Sequence, residues 1–403
     1  MDDREKKLKV GALLTHPVQY YSPWFVELAK SCDLKVYYAF QQTPQGQAEA
    51  GFSTAFEWDI PLLEGYEWQF LNNVSRKPGL HSFGGCDSPE IYRILQKEQF
   101  DALLMFGWNK KCYLQGWYAA LRSGTSVFIR LDSQLGSQQK SILSPLRRLA
   151  YSCVLPYAAD YLSPGKRTDE YLRYYRVSEK RIHRLPHMID TERFERESTR
   201  ARDDGTVQAI RSSNGASEQT FVFLFVGKLI EKKRPELAIR ALEKLMSKQV
   251  QLWIVGDGPL RQELQTIVDQ SNLPVQFLGF INQSQLPGIY AAADCLVLSS
   301  DATETWGLVV NEAFASATPA IVSIEAGCAP ELIDEEQTGW ILAMPAVDTL
   351  AQILSKVVDQ ARKLPRQEMV RKSEQGSFER GVNQFLDIVE TKSGGVVNAK
   401  QGI

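Results

Sequence analysis

Several things are scarce in this chain of 403 residues. No apolar run approaches the roughly 20 residues of a spanning helix, which excludes a helical integral membrane protein. Charge of one sign is not in excess. The net charge is −2, which leaves no basis for wholesale nucleic-acid binding. The six cysteines (Cys32, Cys86, Cys112, Cys153, Cys295 and Cys328) are dispersed and form no C-x-x-C pair. That excludes a zinc-ligand set and a disulfide framework, and reads as reduced core thiols of a cytosolic protein. Neither a metal nor a cofactor is expected. Internal repeats and low-complexity blocks are absent. The opening Met1–Lys7 leads only into the short apolar run Val10–Leu14, too short and too early for a signal peptide. The expectation is a cytoplasmic chain, soluble or at most peripheral at the inner face of a membrane.

What is present is a hydrophobic content of 44%, enough to bury an ample core in two to three domains. Short apolar runs alternate with amphipathic stretches. Strand-like runs are 8–14, 34–40, 101–106, 125–130 and 159–163 in the first half, then 221–226, 250–255, 275–278, 295–298 and 319–323. Helical patterns lie between them, among them 24–31, 88–97, 113–122 and 165–175, then 234–247, 259–270, 284–292, 307–317 and 347–361. Such alternation predicts α/β architecture with parallel sheets, here two doubly wound domains. Their expected bounds are 1–195 and 220–375. Residues 196–219 are polar without periodicity and read as a linker or insertion. A last amphipathic helix is expected over 376–391, followed by a disordered tail, 392–403.

The stretch Glu304-Thr-Trp306-Gly307-Leu308-Val-Val-Asn-Glu312 places one carboxylate outside a strand's carboxyl end and another on the following helix. A helix start carries unpaired N–H groups and suits a phosphate, and Glu312 lies roughly 6–9 Å further along. Two acids bracketing a phosphate site fit a nucleotide sugar, although a surface helix with acids in its first turn has the same residues. Gly227-Lys228-Leu-Ile-Glu-Lys-Lys233 joins a strand to a helix through a cationic loop able to neutralise a diphosphate, or simply a solvated one. Gly256-Asp-Gly258-Pro-Leu-Arg261 resembles a dinucleotide fingerprint without its third glycine, and a tight turn accounts for it equally. Leu278-Gly279-Phe280-Ile281 ends a strand where backbone could line a base pocket, or forms an ordinary turn.

In their order and spacing, these segments, with Tyr290-Ala-Ala-Ala-Asp294 and Ala326-Gly-Cys-Ala-Pro-Glu331, resemble the nucleotide-sugar domain of the retaining family-4 glycosyltransferases (glycosyl transferases group 1). The resemblance runs from Gly227 to Ile333. It implies the GT-B fold, with two Rossmann-like domains facing across a cleft, and metal-independent transfer of a sugar, of hexosyl type, from a nucleoside-diphosphate sugar with retained configuration. It also implies that Lys228 and Lys233 hold the diphosphate and Gly227, Gly258 and Ile281 line the donor site. Glu304 would meet the sugar hydroxyls, with Trp306, Gly307 and Leu308 supplying backbone donors and Glu312 accepting from the ribose. Lys233 and Glu304 are then catalytic. Arg234 departs from a usual glycine and Trp306 from a usual Phe or Tyr.

In the first half, His16-Pro-Val-Gln19-Tyr20 follows the first strand and resembles the opening of a bacterial subgroup linked to envelope polysaccharides. With Trp108 and Asn109 after another strand, His16, Gln19 and Tyr20 are the expected acceptor-binding residues. Pro17 shaping a turn capped by His16 is the plainer reading of that segment. The histidine that the family places after the next strand is missing from Arg130-Leu-Asp132-Ser133, so Asp132 or Arg130 is expected near the reaction centre. His187 reads as structural. Residues 140–184 hold ten Lys/Arg against four Asp/Glu, a face for anionic lipid or a solvated surface. The acceptor is a glycan, a lipid-linked or a small molecule, in polysaccharide, glycolipid or other glycoconjugate synthesis. Two rival functions remain open: a nucleotide-sugar epimerase, which needs acid/base groups that few first-domain histidines supply, and a non-catalytic nucleotide-sugar-binding scaffold.

Overall fold

A computed structural model describes residues 7–43, 46, 56–137, 144–245 and 249–400 of the chain. Its first half builds a seven-stranded sheet from β1 (Lys9–Leu14), β2 (Asp33–Tyr38), β3 (Glu67–Phe70), β4 (Ala102–Met105), β5 (Ser126–Arg130), β6 (Asp160–Ser163) and β7 (Ile182–Arg184), in the order β3-β2-β1-β4-β5-β6-β7. The second half builds a six-stranded sheet from β8 (Phe221–Val226), β9 (Val250–Val255), β10 (Val275–Gly279), β11 (Cys295–Leu298), β12 (Ala320–Ser323) and β13 (Gly339–Leu342), in the order β10-β9-β8-β11-β12-β13. Every strand pair in both sheets is parallel. Strands β8, β11 and β12 are buried along their whole length. A parallel sheet covered by helices on both faces requires this, and it is why these strands read as unbroken apolar runs.

Helices α1 (Ser22–Ser31), α2 (Ile91–Glu98), α3 (Lys111–Ser123), α4 (Ser144–Ala158) and α5 (Lys166–Tyr174) belong to the first half. They are followed by α6 (Thr191–Asp203), α7 (Thr206–Ser213), α8 (Pro235–Leu245), α9 (Arg261–Ser271), α10 (Leu286–Ala292), α11 (Leu308–Ala315), α12 (Ala329–Leu332), α13 (Val347–Gln360), α14 (Arg366–Ser373) and α15 (Phe378–Lys400). The expected pair of doubly wound domains is present. In each sheet the strand order reverses beside the first strand, between β1 and β4 and between β8 and β11. The loops leaving those strands open a crevice at their carboxyl ends, the usual place for a ligand in such sheets.

Two expectations are corrected. The polar stretch 196–219, expected to be a linker or insertion without regular structure, is mostly helical, because α6 and α7 occupy most of it. Asp190 caps α6 by accepting the Arg193 N–H at 3.1 Å, and Arg193–Glu197 and Arg200–Asp204 pair one turn apart. The buried residues of α6 are Thr191, Phe194, Ser198 and Ala201, so small and polar residues hide a helical period. Arg211 of α7 is buried and donates to the carbonyl of Ala292 at 2.7 Å, which fixes α7 to the second domain. The tail expected from residue 392 is likewise helical as far as Lys400, and residues 401–403 lie outside the described residues. Lys392 anchors that extension, its ammonium 2.8 Å from Asp160 and 3.0 Å from the Lys180 carbonyl. Five cysteines are buried as core thiols, but Cys153 on α4 is exposed.

Helix α15 crosses back to the first domain. Its Val382, Phe385 and Val389 are buried with Val10, Trp24 and Leu28, and the Phe385 ring lies 5.9 Å from Trp24 and 6.0 Å from Phe128. The two chain crossings meet where the Ile189 N–H donates to the Gly376 carbonyl at 3.1 Å.

Candidate active site

The second-domain wall of the crevice is made by the loops after β8 and β11. The first runs from Gly227 through Lys228 to Lys233, the second from Ser299 to Gly307. Lys233 Nζ forms an ion pair with Glu304 Oε2, with both side chains largely buried. Burial pushes the Glu304 carboxyl up, but the ammonium groups of Lys233 and Lys232 outweigh this and hold it below the usual carboxylate range. Burial, then the neighbouring Lys232 and Lys233, holds the Lys228 ammonium below its ordinary value. Gly307 is the N-cap of α11, with φ at +110° and no side-chain cap. The N–H groups of Leu308 and Val309 at the start of α11 therefore lack intrahelical acceptors beside this Lys–Glu pair, whereas Val310 N–H donates to the Gly307 carbonyl at 3.0 Å.

The glycines of the next loop have a packing role. A Cβ on Gly256, whose φ is +129°, would lie 2.0 Å from the Gly227 carbonyl oxygen, and one on Gly258 would lie 2.6 Å from that of Leu229. The plainer reading of this turn thus has a direct cause, the stacking of one loop's backbone on the other. Ile281 and Leu308 pack, partly buried, against the second-domain core.

Glu312, on α11, is buried. Its carboxylate accepts from the hydroxyls of Tyr290 (2.7 Å) and Tyr20 (3.1 Å) and from Gln283 Nε2 (3.3 Å). Burial raises the Glu312 carboxyl above its usual range, opposed by these three hydrogen bonds and by Arg193. Tyr20 belongs to the first domain, so it joins the two domains at a residue expected to hold ribose.

On the first-domain wall, Asp132 follows β5. Its Oδ2 accepts from the Thr305 hydroxyl at 3.0 Å, next to Glu304, and lies 3.8 Å from Nε2 of His187. His187 is buried with its ring centroid 5.0 Å from that of Trp306, and burial together with Arg130 holds the imidazole neutral. Trp306 Nε1 donates to Asn311 Oδ1 at 2.9 Å. Gln134 crosses the cleft, its Nε2 donating to the carbonyls of Ala302 (2.6 Å) and Glu304 (3.0 Å). On the other flank, Asn282 donates to the Glu57 carbonyl at 2.7 Å, and the Phe56 and Phe280 rings lie 4.1 Å apart.

The structure brings Lys233, Glu304, Trp306, Gly307 and Asp132 to one place, and it separates the expected acceptor residues. Trp108 and Asn109 line a cavity of about 190 Å³ together with Arg130 and Asp132. Gln19 and Tyr20 line a different cavity of about 580 Å³, beside the chain crossings at Ile189–Phe194 and Ser377–Glu379. His16 lines neither. Its Nδ1 lies 3.0 Å from the Thr15 hydroxyl, and burial lowers its pKa to about 4. Sequence reasoning missed Thr305, Gln134 and Gln283. Each acts across a long sequence separation, and only Thr305 lies inside a recognised motif.

Residues 206–375 match the family model described as glycosyl transferases group 1. Among curated proteins, the chain is 31% identical over 202 residues to the sulfoquinovosyl transferase SQD2 of Arabidopsis thaliana, covering 49% of this chain and 35% of that one. It is 36% identical over 135 residues to an uncharacterized glycosyltransferase of Methanocaldococcus jannaschii (32% and 34%) and 25% identical over 264 residues to the D-inositol 3-phosphate glycosyltransferase of Streptomyces avermitilis (60% and 55%). The chain thus spans about a third to about half of the length of these relatives. Among solved structures, a glycosyltransferase from Rickettsia africae superposes with a TM-score of 0.74 at 14% identity, covering 96% of this chain and 98% of that one. Anabaena HepE in complex with UDP gives 0.73 at 16% identity, covering 95% and 100%. The whole chain therefore has the GT-B fold, and its second half has group 1 glycosyltransferases as homologues.

Proposed function

We propose that the chain is a retaining, metal-independent glycosyltransferase of hexosyl type. The second domain holds a nucleoside-diphosphate sugar and the first presents an acceptor hydroxyl, in polysaccharide, glycolipid or other glycoconjugate synthesis. The observation that carries this reading is the Lys233–Glu304 ion pair beside the start of α11. Lys233, with Lys228, offsets charge on the departing diphosphate, and the first turn of α11 adds backbone donors. Glu304 accepts from the sugar hydroxyls once Lys233 turns to phosphate. The bond from the anomeric carbon to the β-phosphate oxygen breaks as the acceptor oxygen bonds to that carbon on the same face. The acceptor proton passes to the departing phosphate. Asp132 stands across the cleft from Glu304 through Thr305 and orients the acceptor hydroxyl. Anabaena HepE structures hold UDP and UDP-glucose, so a uridine diphosphate sugar is the first donor to try.

The test is calorimetry with UDP-, GDP- and ADP-sugars, followed by nucleotide release with an acceptor panel. Wild type should release nucleotide with at least one acceptor. Glu304→Gln, which keeps the side-chain volume, should abolish release. Its melting temperature should fall because Lys233 loses its counter-charge, so a retained far-ultraviolet circular dichroism spectrum is the check that the variant is folded. Full activity in that variant sinks the site assignment. Binding without turnover for any acceptor favours the scaffold reading.

The same reading includes peripheral contact with an anionic membrane through the basic 140–184 face. Residues 140–143 lie outside the described residues. On α4, Leu146, Leu149, Val154 and Tyr157 are exposed next to Arg147 and Arg148, a pattern suited to a lipid surface. No described helix is long and apolar enough to cross a membrane. Co-sedimentation with phosphatidylglycerol vesicles, lost in Leu146→Glu/Leu149→Glu, is the expected result. Equal sedimentation with phosphatidylcholine vesicles argues against it.

A further inference from the structure

Arg130 ends β5, at the carboxyl edge of the first sheet, and its side chain is buried with 3% exposure. Nη1 donates to the Leu185 carbonyl. The guanidinium forms no ion pair among the described residues, although it is fully buried. The Tyr21 hydroxyl accepts a hydrogen bond from it, and Asp132 acts on it only through its field. The other buried base nearby, His187, is neutral and has an unpartnered Nε2. Burying a charge without a partner costs several kcal/mol, and a guanidinium does not escape by losing its proton. Arginines in this position ordinarily meet a carboxylate or phosphate, whose geometry matches the fork of N–H groups.

The cavity beside this guanidinium, about 190 Å³, is lined by Tyr21, Phe106, Trp108, Asn109, Arg130 and Asp132, among others. It has a wall of aromatic faces, a buried cation and, at the cleft, a carboxylate tied to the donor loop. The donor diphosphate has its own cations, Lys228 and Lys233, on the opposite domain. We propose that this cavity is the subsite for an anionic acceptor, a small sugar or polyol bearing a phosphate or carboxylate, with the anion paired to Arg130 and a hydroxyl turned toward Asp132. The aromatic side chains pack the ring, and the anion fixes which hydroxyl faces the donor. A neutral sugar leaves the Arg130 charge without a counter-ion and binds weakly. The acceptor role rests on the function proposed above, whereas the anion site itself does not.

The test is calorimetry on the full chain with glucose 6-phosphate, glucuronate and glucose, with and without UDP. One of the two anionic probes should bind on the order of 10- to 100-fold more tightly than glucose, and which one does so distinguishes phosphate from carboxylate. Arg130→Gln should remove that preference and leave UDP affinity within about twofold of wild type. If that variant does not fold, Asn109→Asp, which adds charge to the pocket without touching the guanidinium, should weaken the anionic probe and not glucose. The proposal is overturned if neither anion binds more tightly than glucose, or if Arg130→Gln and Asn109→Asp both keep the preference. Failure of UDP to bind wild type would instead overturn the donor-site reading and leave the anion result to stand alone.

Discussion

On the second-domain wall of the cleft, Lys233 meets Glu304 and Arg234 meets Glu325, and these partners come from neighbouring loops of one sheet. On the first-domain wall, Arg130 has no ion pair among the described residues, and His187 has only Asp132 at 3.8 Å. The wall on which Glu304 and Glu325 are each balanced by a cation is also the wall spelled out by motifs. Its residues lie a few positions apart, at a strand end and a helix start, so their spacing is fixed by local geometry. The opposite wall is assembled from residues 130, 132 and 187 with Thr305 and Gln134 reaching across, and no sequence spacing encodes that meeting.

The comparison can be broken most forcefully on the balanced side. Lys233→Ala should lower nucleotide release about 10²–10³-fold at saturating donor. A loss below tenfold would mean that the diphosphate charge is met elsewhere. Next comes a test of whether the second-domain loops owe their glycines to packing. Gly256→Ala should cost roughly 2–4 kcal/mol in urea unfolding, because the added Cβ meets the Gly227 carbonyl at a φ that disfavours side chains. An unchanged midpoint would return that turn to a ligand role.

The first-domain wall should respond to acid. The His16 pKa is depressed from 6.5 to about 4, so the folded state favours the neutral ring. Its contribution to stability is fully present above pH 6.5 and is lost as pH falls from there through about 4. Relative to His16→Gln, wild type should lose on the order of 1–3 kcal/mol across that window, followed by thermal unfolding at stepped pH. Parallel pH profiles for the two proteins would show that His16 takes up its proton over the same pH range folded and unfolded. The smallest effect belongs to Arg234, which occupies a left-handed φ of +49°, a conformation that favours glycine. Arg234→Gly should relieve that strain and lose the partly exposed pair with Glu325. Net stability should then stay within about 0.5 kcal/mol of wild type, and a larger drop in unfolding midpoint would give that ion pair more weight.

Much of the fold is legible in the sequence where strands are buried on both faces. Phe221–Val226, Val250–Val255 and Cys295–Leu298 have the bounds that their apolar runs predict. Outer and short strands escape. Glu67–Phe70 is half exposed at a sheet edge, Ile182–Arg184 has three residues, and Gly339–Leu342 begins at a glycine. Helix α6 escapes because charge pairs and small residues stand where an apolar stripe would announce it. At the site, the ordered loops of the second domain mark Lys233, Glu304 and Glu312. The partners of Glu312 come from residues 20, 283 and 290, and only the folded chain brings them within hydrogen-bond reach.

Helix α15 has a consequence for how the protein is made. Val382, Phe385 and Val389 complete a core begun by Val10, Trp24 and Leu28, so the first domain is sealed by residues translated after the second. The second domain has its own complete core and lies wholly between those two halves in the order of synthesis. It can mature while the first remains open, which inverts the usual N-to-C sequence of co-translational folding. Nascent chains arrested near residue 376 should yield a protease-resistant second domain and a sensitive first one. Equal resistance of both at that length would show that the first domain closes without α15.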